Sequence, residues 1–334
     1  MHCAMCNIWD NPTGPQEEFK PSLLEKLPRM RAVNITGGEP FVREDIDEIV
    51  TILEKKASRI VFSTSGWFPD RVKEMARRHP NVGYRISIEG LSCKNDSLRG
   101  REGGFDKGLS TLLELRRMGI RDIGFGITVS NNNSPDMLDL YELSRNLKME
   151  FATASFHNSF YFHKYDNRIT NTEQVCADFD ELIQRLMREK SPKSWARAFF
   201  NLGLINYIRG GRRMLPCEAG SENFFLDPFG NILPCNGMEE RCWYGTMGNL
   251  AEATFEEIWN GPQAAEIRAK VASCPKNCWM IGSVSPVMKK YLPKIAPWIL
   301  KNRLAVMRGG RVDTSCIPFY KVGNNEKQGL GPQH

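Results

Sequence analysis

Between residues 20 and 155 the sequence alternates short apolar runs with amphipathic stretches, and this alternation limits the possible folds more than any other feature. In the amphipathic stretches apolar residues recur at helical spacing, as Ile46, Ile49 and Leu53 do. This alternation predicts an α/β fold with a parallel sheet and crossover helices, which binds ligands at the carboxyl ends of its strands. The five apolar runs are Ala32–Ile35, Arg59–Phe62, Tyr84–Ile88, Ile123–Val129 and Phe151–Phe156.

Local signals predict several helix ends. Gly119 stands where a C′ glycine ends a helix, and Ser134-Pro135 is typical of a helix start. A later amphipathic helix is predicted over Phe179–Lys190, with Ser191-Pro192 ending it. Two histidines, His157 and His163, lie among aromatic residues. They either line a substrate pocket or are simply packed, and the residues leave both alternatives open.

Composition excludes several classes of protein. The chain has 334 residues, 41% hydrophobic and 25% charged, which is ordinary for a globular protein. No apolar run approaches the roughly 18 residues that a membrane-spanning helix needs. A net charge of +6 permits an anionic partner but does not indicate nucleic acid. We expect a cytoplasmic location.

The ten cysteines fall into sets that favour metal or cluster binding over disulfides. Cys3 and Cys6 form a Cys-x-x-Cys turn, whose two thiolates can converge on one metal or cluster. Cys93, Cys176 and Cys316 have no partner at ligand spacing, so we interpret them as ordinary thiols. The second set consists of Cys217, Cys235, Cys274 and Cys278.

The first set is followed, at the end of the first apolar run, by Gly37-Gly38-Glu39-Pro40. Together the two motifs resemble the radical SAM superfamily, whose Cys-x3-Cys-x2-Cys motif follows the first barrel strand and whose Gly-Gly-Glu-Pro follows the second. Cys3 and Cys6 fit the second and third cysteines, and the first would fall before Met1. We therefore expect the chain to begin at an internal methionine. The resemblance implies a partial (β/α)6 TIM-like barrel over residues 1–205 with its first strand missing.

The resemblance also implies which residues bind S-adenosylmethionine. Gly37-Gly38-Glu39-Pro40 would receive its amino group, and Arg99 its carboxylate. The remaining cofactor-binding candidates are Ser63 and Ser65 for the ribose, Ser87 and Glu89 for the cofactor or substrate, and Ile127 beside the adenine. Several candidates have a plainer alternative: a solvated acid for Glu39, a Ser/Thr turn for Ser63 and Ser65, a surface ion pair for Arg99, and an ordinary buried strand residue for Ile127.

The second cysteine set surrounds a predicted β-hairpin with the turn Asp227-Pro228-Phe229-Gly230, followed by a helix capped by Thr254. This order resembles the SPASM/Twitch extension of radical SAM enzymes, here over residues 206–282. Its four cysteines suffice for one auxiliary [4Fe–4S] cluster, or two clusters if Cys242 takes part. A structural zinc site is the alternative.

Residues 283–334 form a basic tail. Its lysines and apolar residues either lie on an anionic surface or pack on the domain. Prolines at 286, 293 and 297 argue against one long amphipathic helix, and from Gly323 onward the composition predicts disorder.

The implied function is [4Fe–4S]-dependent reductive cleavage of S-adenosylmethionine to a 5′-deoxyadenosyl radical, which abstracts a hydrogen atom from a substrate. No motif identifies that substrate, although a peptide is the weakly favoured choice over a small molecule. An electron donor such as flavodoxin or ferredoxin is expected. The alternatives are a non-catalytic protein of the same fold, lacking a cluster ligand, and a zinc-stabilised binding module.

Overall fold

The computed structural model describes residues 1–239 and 244–319. Five parallel strands form one curled sheet in sequential order, as the sequence predicts. Each strand overlaps one of the five apolar runs, because the residues on its helix-covered face are apolar and buried. The strands are β1 (Val33–Ile35), β2 (Ile60–Thr64), β3 (Gly83–Ser87), β4 (Ile123–Val129) and β5 (Glu150–Ser155).

Helices connect the strands and cover one face of the sheet. The predicted C′ glycine is confirmed, since Gly119 has φ +84° just after the helix Gly104–Arg117. The predicted start at Ser134-Pro135 is one residue early: the helix begins at Asp136, and the hydroxyl of Ser134 makes no hydrogen bond. The helices are α1 (Ile46–Lys56), α2 (Pro69–Arg78), α3 (Ser92–Arg99), α4 (Gly104–Arg117), α5 (Asp136–Asn146), α6 (Thr172–Arg188) and α7 (Pro192–Ile208).

The two faces of the sheet have different environments. On the helix side, Phe62 packs between Phe41 and Tyr84, with ring centroids 4.8 and 5.8 Å away. On the other face, alternate residues such as Ser63 and Ser87 are only half-buried and line a cleft. Side chains alternate along a strand, so each strand contributes both to the core and to the cleft.

A second, antiparallel sheet follows α7. The predicted hairpin is confirmed: the strand Phe225–Leu226 pairs with the strand Asn231–Leu233. The Asp227 carboxylate in the turn accepts hydrogen bonds from the main-chain N–H groups of Phe229 and Asn231. Thr254 caps the next helix in a capping box with Glu257, also as predicted. The elements are β6 (Phe225–Leu226), β7 (Asn231–Leu233), β8 (Gly248–Asn249), α8 (Phe255–Asn260) and α9 (Pro262–Ala272).

One prediction about the later helices needs correction. Ser191-Pro192 ends one helix and also starts the next, because proline is tolerated at the first helical position of α7. The tail from 283 does not form one long helix, as its prolines predict, but two shorter ones, α10 (Ile281–Lys290) and α11 (Leu292–Met307), each with an internal proline. The predictions on Cys242 and on Gly323 onward lie outside the described residues. Among the described residues, no helix is both long and apolar enough to cross a membrane.

Candidate functional site

The loop that carries Cys3 and Cys6 lies at the carboxyl edge of the parallel sheet. The main-chain N–H of Ala4 donates to the carbonyl of Leu98 at 2.8 Å. The main-chain N–H of Asn7 donates to the carbonyl of Phe162, also at 2.8 Å. The loop is therefore held between the end of α3 and the segment that follows β5.

Gly100 lets this loop approach α3 closely. It has φ +60°, and a Cβ at this position would lie 2.5 Å from the carbonyl oxygen of His2. Both the backbone conformation and the space therefore require glycine.

The thiols of Cys3 and Cys6 are neighbours. A hydrogen bond from Cys6 lowers the pKa of Cys3 to about 6, and the same bond raises the pKa of Cys6. The charge of Arg99 acts on both thiols and favours their ionised forms. The two cysteines predicted to share a cluster therefore lie together beside a cation.

The glycine pair lies against the cysteine loop. A Cβ on Gly38 would be 3.1 Å from Cγ2 of Ile8, and one on Gly37 would be 3.8 Å from the hydroxyl of Tyr161. The missing Cβ at Gly38 gives the chain room beside the first motif, since a methyl group there would crowd Ile8. The two motifs that the sequence singles out are thus in contact.

Glu39 is fully engaged in hydrogen bonds within the protein. Its carboxylate accepts from the N–H of Phe41 at 3.3 Å, from the Thr64 hydroxyl at 2.5 Å, and from both the N–H, at 2.8 Å, and the hydroxyl of Ser65. A carboxylate offers about four acceptor sites, and all are used. Glu39 therefore joins the end of β1 to the end of β2, and its contact with a cofactor stays a prediction.

Glu89 and Arg99 form a buried ion pair, so the alternative of a surface pair for Arg99 is wrong. Their side chains are 4% and 10% exposed, and Nη1 lies 3.1 Å from Oε1. The other carboxylate oxygen accepts from the N–H of Thr128 at 2.6 Å. Burial raises the pKa of Glu89, although the charge of Arg99 opposes this. The Nε atom of Arg99 is buried without a hydrogen-bond partner.

The other predicted cofactor residues differ in whether they line the cleft or lie in the core. Ser63 donates to Asn34 at 3.1 Å, and the Ser65 hydroxyl accepts from the N–H of Trp67, which is the Ser/Thr turn that the sequence allowed. Ser87 is half-buried in the cleft. Ile127 is 1% exposed, and its side chain lies in the core on the face of β4 that packs against helices. Its part in adenine binding stays a prediction.

Sequence reasoning missed the segment between β5 and α6. Asn167 donates to the carbonyl of Met5 at 2.9 Å, and Asn7 donates to the carbonyl of His163 at 3.0 Å. Tyr161 lies over Gly37, and burial raises its pKa to about 12. The only sequence signal was the cluster of aromatic residues around His157 and His163, and the first of these is buried while the second is exposed.

The four cysteines of the second set lie near one another. Burial raises the pKa of Cys235 to about 12, and the charges of the other three act in the same direction. Arg213 donates to the sulfur of Cys278 at 3.7 Å, and its Nη2 atom is buried without a partner. Among residues 1–239 and 244–319, no three His, Cys, Asp or Glu side chains are close enough to hold a single metal ion.

Lys276 anchors the loop between Cys274 and Cys278. Its ammonium donates to the carbonyls of Asn158 at 2.9 Å and Gly237 at 2.8 Å, and pairs with Glu239. Lys276 and Glu239 have side-chain exposures of only 7% and 1%. The loop is thereby tied to the end of β5, so the second cysteine set is held against the barrel.

Comparison with known proteins decides the family. Residues 1–143 match the radical SAM superfamily, and residues 217–280 match the SPASM iron–sulfur cluster-binding domain. The chain therefore carries a radical SAM domain followed by a SPASM domain. Both matched ranges lie inside the predicted units, whose boundaries at 205 and 282 stay predictions.

Three relatives illustrate the similarity. The sporulation killing factor maturation protein SkfB of Bacillus subtilis is 22% identical over 292 residues, which cover 85% of this chain and 67% of SkfB. The AdoMet-dependent heme synthase of Oleidesulfovibrio alaskensis is 25% identical, covering 67% of this chain and 60% of the synthase. The structure of anSMEcpe with bound AdoMet and Cp18Cys peptide shares the fold, with a TM-score of 0.53, 13% identity, and coverage of 84% and 90%.

Radical SAM and SPASM domains bind a [4Fe–4S] cluster, S-adenosylmethionine and auxiliary iron–sulfur clusters. The residues present fit these groups, with two of the three cysteines of the radical SAM motif lying in this chain. Cys3 and Cys6 supply two adjacent thiols, and the unpartnered Nε of Arg99 suits a carboxylate. Around Cys235, four thiols and the unpartnered Nη2 of Arg213 suit an anionic cluster. One continuous cleft is lined by Cys3, Cys6, Gly37, Glu39, Ser87, Arg99 and Cys235.

Proposed function

We propose that this protein is a radical SAM enzyme that modifies a peptide. The observation that carries the proposal is the convergence of the cysteine loop, the glycine pair and Arg99 at the carboxyl edge of the sheet. When bound, the cluster would supply one electron for the reductive cleavage of S-adenosylmethionine, and the cofactor would supply the radical chemistry that removes a hydrogen atom from the substrate.

The chain's own residues orient the cofactor. Cys3 and Cys6 would hold the cluster, and the backbone of Gly37 and Gly38 leaves room for the amino acid part of S-adenosylmethionine. Arg99 offers its free Nε to the cofactor carboxylate while Glu89 fixes the guanidinium through Nη1. Cys217, Cys235, Cys274 and Cys278 would hold one auxiliary cluster, with Arg213 balancing its negative charge.

A peptide substrate is supported by the comparisons and by the lining of the cleft. SkfB is named as a maturation protein, and anSMEcpe was solved with a peptide bound. In this chain the cleft carries Tyr161, which packs on Phe225 at 4.8 Å, and Phe160, which packs on Tyr244. Aromatic side chains provide large contact area for a peptide at low conformational cost. A tetrapyrrole is the second candidate, favoured by the similarity to the heme synthase.

The test is anaerobic reconstitution with iron and sulfide, followed by dithionite and S-adenosylmethionine. We expect 5′-deoxyadenosine from this chain or from a version extended to the next upstream in-frame start, and none from the matched Cys6→Ala variant. If neither version forms it while iron binds, the enzyme proposal fails. Offering peptides or porphyrins to the active version then separates the two substrates by the increase in 5′-deoxyadenosine that each produces.

A further inference from the structure

The stretch from Ile281 to Val312 has an unusual charge pattern that the proposed function does not use. It contains seven Lys or Arg and no Asp or Glu. At the chain's average content of 39 acidic residues in 334, a stretch of this length would hold about four. The seven basic residues are Lys289, Lys290, Lys294, Lys301, Arg303, Arg308 and Arg311.

The outer face of α11 is apolar. Its exposed residues are leucine, methionine, proline and lysine, with no acidic or neutral polar side chain among them. Such a face normally carries polar residues when it meets water. The four large apolar side chains are exposed by 53% (Leu292), 62% (Leu300), 47% (Leu304) and 68% (Met307).

The inner face of α11 is already packed on the domain. Trp298 meets Phe199 of α7 edge to face, with ring centroids 5.5 Å apart. Arg303 donates to the carbonyl of Met187 at 2.6 Å and lies over Trp195. The helix is therefore held in place without its outer face, which among the described residues has no covering element.

The spacing of these residues makes one two-part surface. At 100° per residue, Leu292, Leu300, Leu304 and Met307 fall within an arc of about 120°. Lys301 lies about 60° beyond one border of this arc, and Arg308 follows just beyond the helix end. A second copy of the chain would bring like charges together, which is unfavourable. An anionic lipid surface instead offers both an apolar layer and negative headgroups.

We propose that the outer face of α11 binds an anionic membrane surface. Its leucine and methionine side chains enter the boundary between headgroups and acyl chains, while Lys301 and Arg308 meet the anionic headgroups. The helix lies parallel to the membrane plane and does not cross it. The proposal stands apart from the proposed function, because it uses no residue of either cysteine set.

The experiment is sedimentation of the full chain with lipid vesicles. We expect binding to vesicles that contain phosphatidylglycerol, weak binding to pure phosphatidylcholine, and loss of binding as salt increases. Leu300→Ser combined with Leu304→Ser should weaken binding about tenfold or more. Leu91→Ser, which removes an exposed leucine from the loop before α3, is the control and should bind normally.

A charge-reversed pair tests the electrostatic part. Lys301→Glu combined with Arg308→Glu should weaken binding about tenfold or more, whereas Lys55→Glu combined with Arg117→Glu should not. Near-UV circular dichroism of the aromatic side chains shows whether each variant is folded. The proposal is overturned if the chain does not bind phosphatidylglycerol vesicles at low salt, or if it binds neutral vesicles equally well. It is also overturned if the leucine variant only abolishes self-association.

Discussion

The Nη1 atom of Arg99 lies 3.1 Å from Oε1 of Glu89, and both side chains are buried beside Cys3. A buried pair of this kind is weak support for stability, since desolvation offsets much of its attraction. In this protein the ion pair fixes the orientation of the Arg99 side chain. The pair fixes the guanidinium while its Nε remains without a partner, and that donor is available to an anionic ligand.

Arg99→Lys should weaken binding of S-adenosylmethionine roughly tenfold to a hundredfold. Lysine keeps the charge but lacks the planar fork, so it cannot hold Glu89 and also present a second fixed donor. A hydrogen bond to a charged group is worth about 1.5–3 kcal/mol. Equilibrium dialysis of the reconstituted protein measures the affinity, and iron content shows whether the clusters are intact. Arg117→Lys is the control, and equal affinity in both variants would contradict the assignment.

Glu39→Gln should destabilise the protein even without cofactors. Its carboxylate accepts four hydrogen bonds, and the amide nitrogen of glutamine cannot accept from Ser65 or Thr64. A buried donor left without a partner costs about 1–3 kcal/mol. Urea unfolding of the cluster-free protein measures this, with the exposed Glu44→Gln as control. A Glu39→Gln variant as stable as the parent would show that the carboxylate does not join β1 to β2.

Gly100→Ala should loosen the cysteine loop. The new Cβ would meet the carbonyl of His2 at 2.5 Å, in addition to the strain of φ +60°. Gly119→Ala is a matched control, because Gly119 has φ +84° and nothing within 4 Å of the added carbon. Both variants should lose about 1 kcal/mol of stability from the left-handed backbone conformation, and Gly100→Ala should lose more because its Cβ also clashes with the His2 carbonyl. Only Gly100→Ala should speed alkylation of Cys3 and Cys6 in the cluster-free protein, and equal rates would refute the close contact.

Acid should destabilise the protein through His157. Burial lowers its pKa from 6.5 to about 4. The unfolded chain therefore binds a proton at His157 below about pH 6.5, whereas the folded state binds it only below about pH 4. The free energy of unfolding therefore decreases as the pH falls through this window. The loss between pH 7.5 and 5 should be roughly 2 kcal/mol. His157→Gln should lack this part of the pH dependence in urea unfolding, whereas His163→Asn, at an exposed site, should retain it.

Cys235→Ser should remove about four irons per chain from the reconstituted protein and lower its melting temperature. Cys93 is exposed and far from ligand spacing, so Cys93→Ser serves as the control. Iron, sulfide and zinc are measured together on anaerobic protein. Zinc without iron in the parent chain would favour the zinc-stabilised module, and unchanged iron in Cys235→Ser would contradict the ligand assignment.

Much of the fold could be predicted from the sequence. Each apolar run overlaps a strand of the sheet. Gly119 follows the end of one predicted helix and Thr254 caps the start of another, because helix-terminus signals depend on local backbone geometry. Ser191-Pro192 was misjudged because proline both ends a helix and starts one, and only the neighbouring packing decides between these roles. The prolines at 286, 293 and 297 correctly argued against one long helix, since α10 ends at Lys290 and α11 begins at Leu292.

The candidate site could be predicted less completely. Its motifs were visible as cysteines and glycines at particular spacings. The contacts that hold them, such as Asn167 to Met5 and Lys276 to Asn158, join residues more than a hundred positions apart. The periodicity of apolar residues along the sequence does not predict such long-range contacts. Glu39 was expected to face the cofactor, yet whether a carboxylate has free acceptor sites depends on which donors the fold brings to it.

By itself the sequence determined the order of strands and helices, the two cysteine sets and the acid-free basic stretch, because these follow from residue type and spacing along the chain. The tertiary structure decided the rest. It placed Cys3 beside Arg99, buried that arginine against Glu89 with one donor free, and turned the leucines of α11 outward. Burial and partner choice depend on which distant segments pack together, and that is a property of the whole fold.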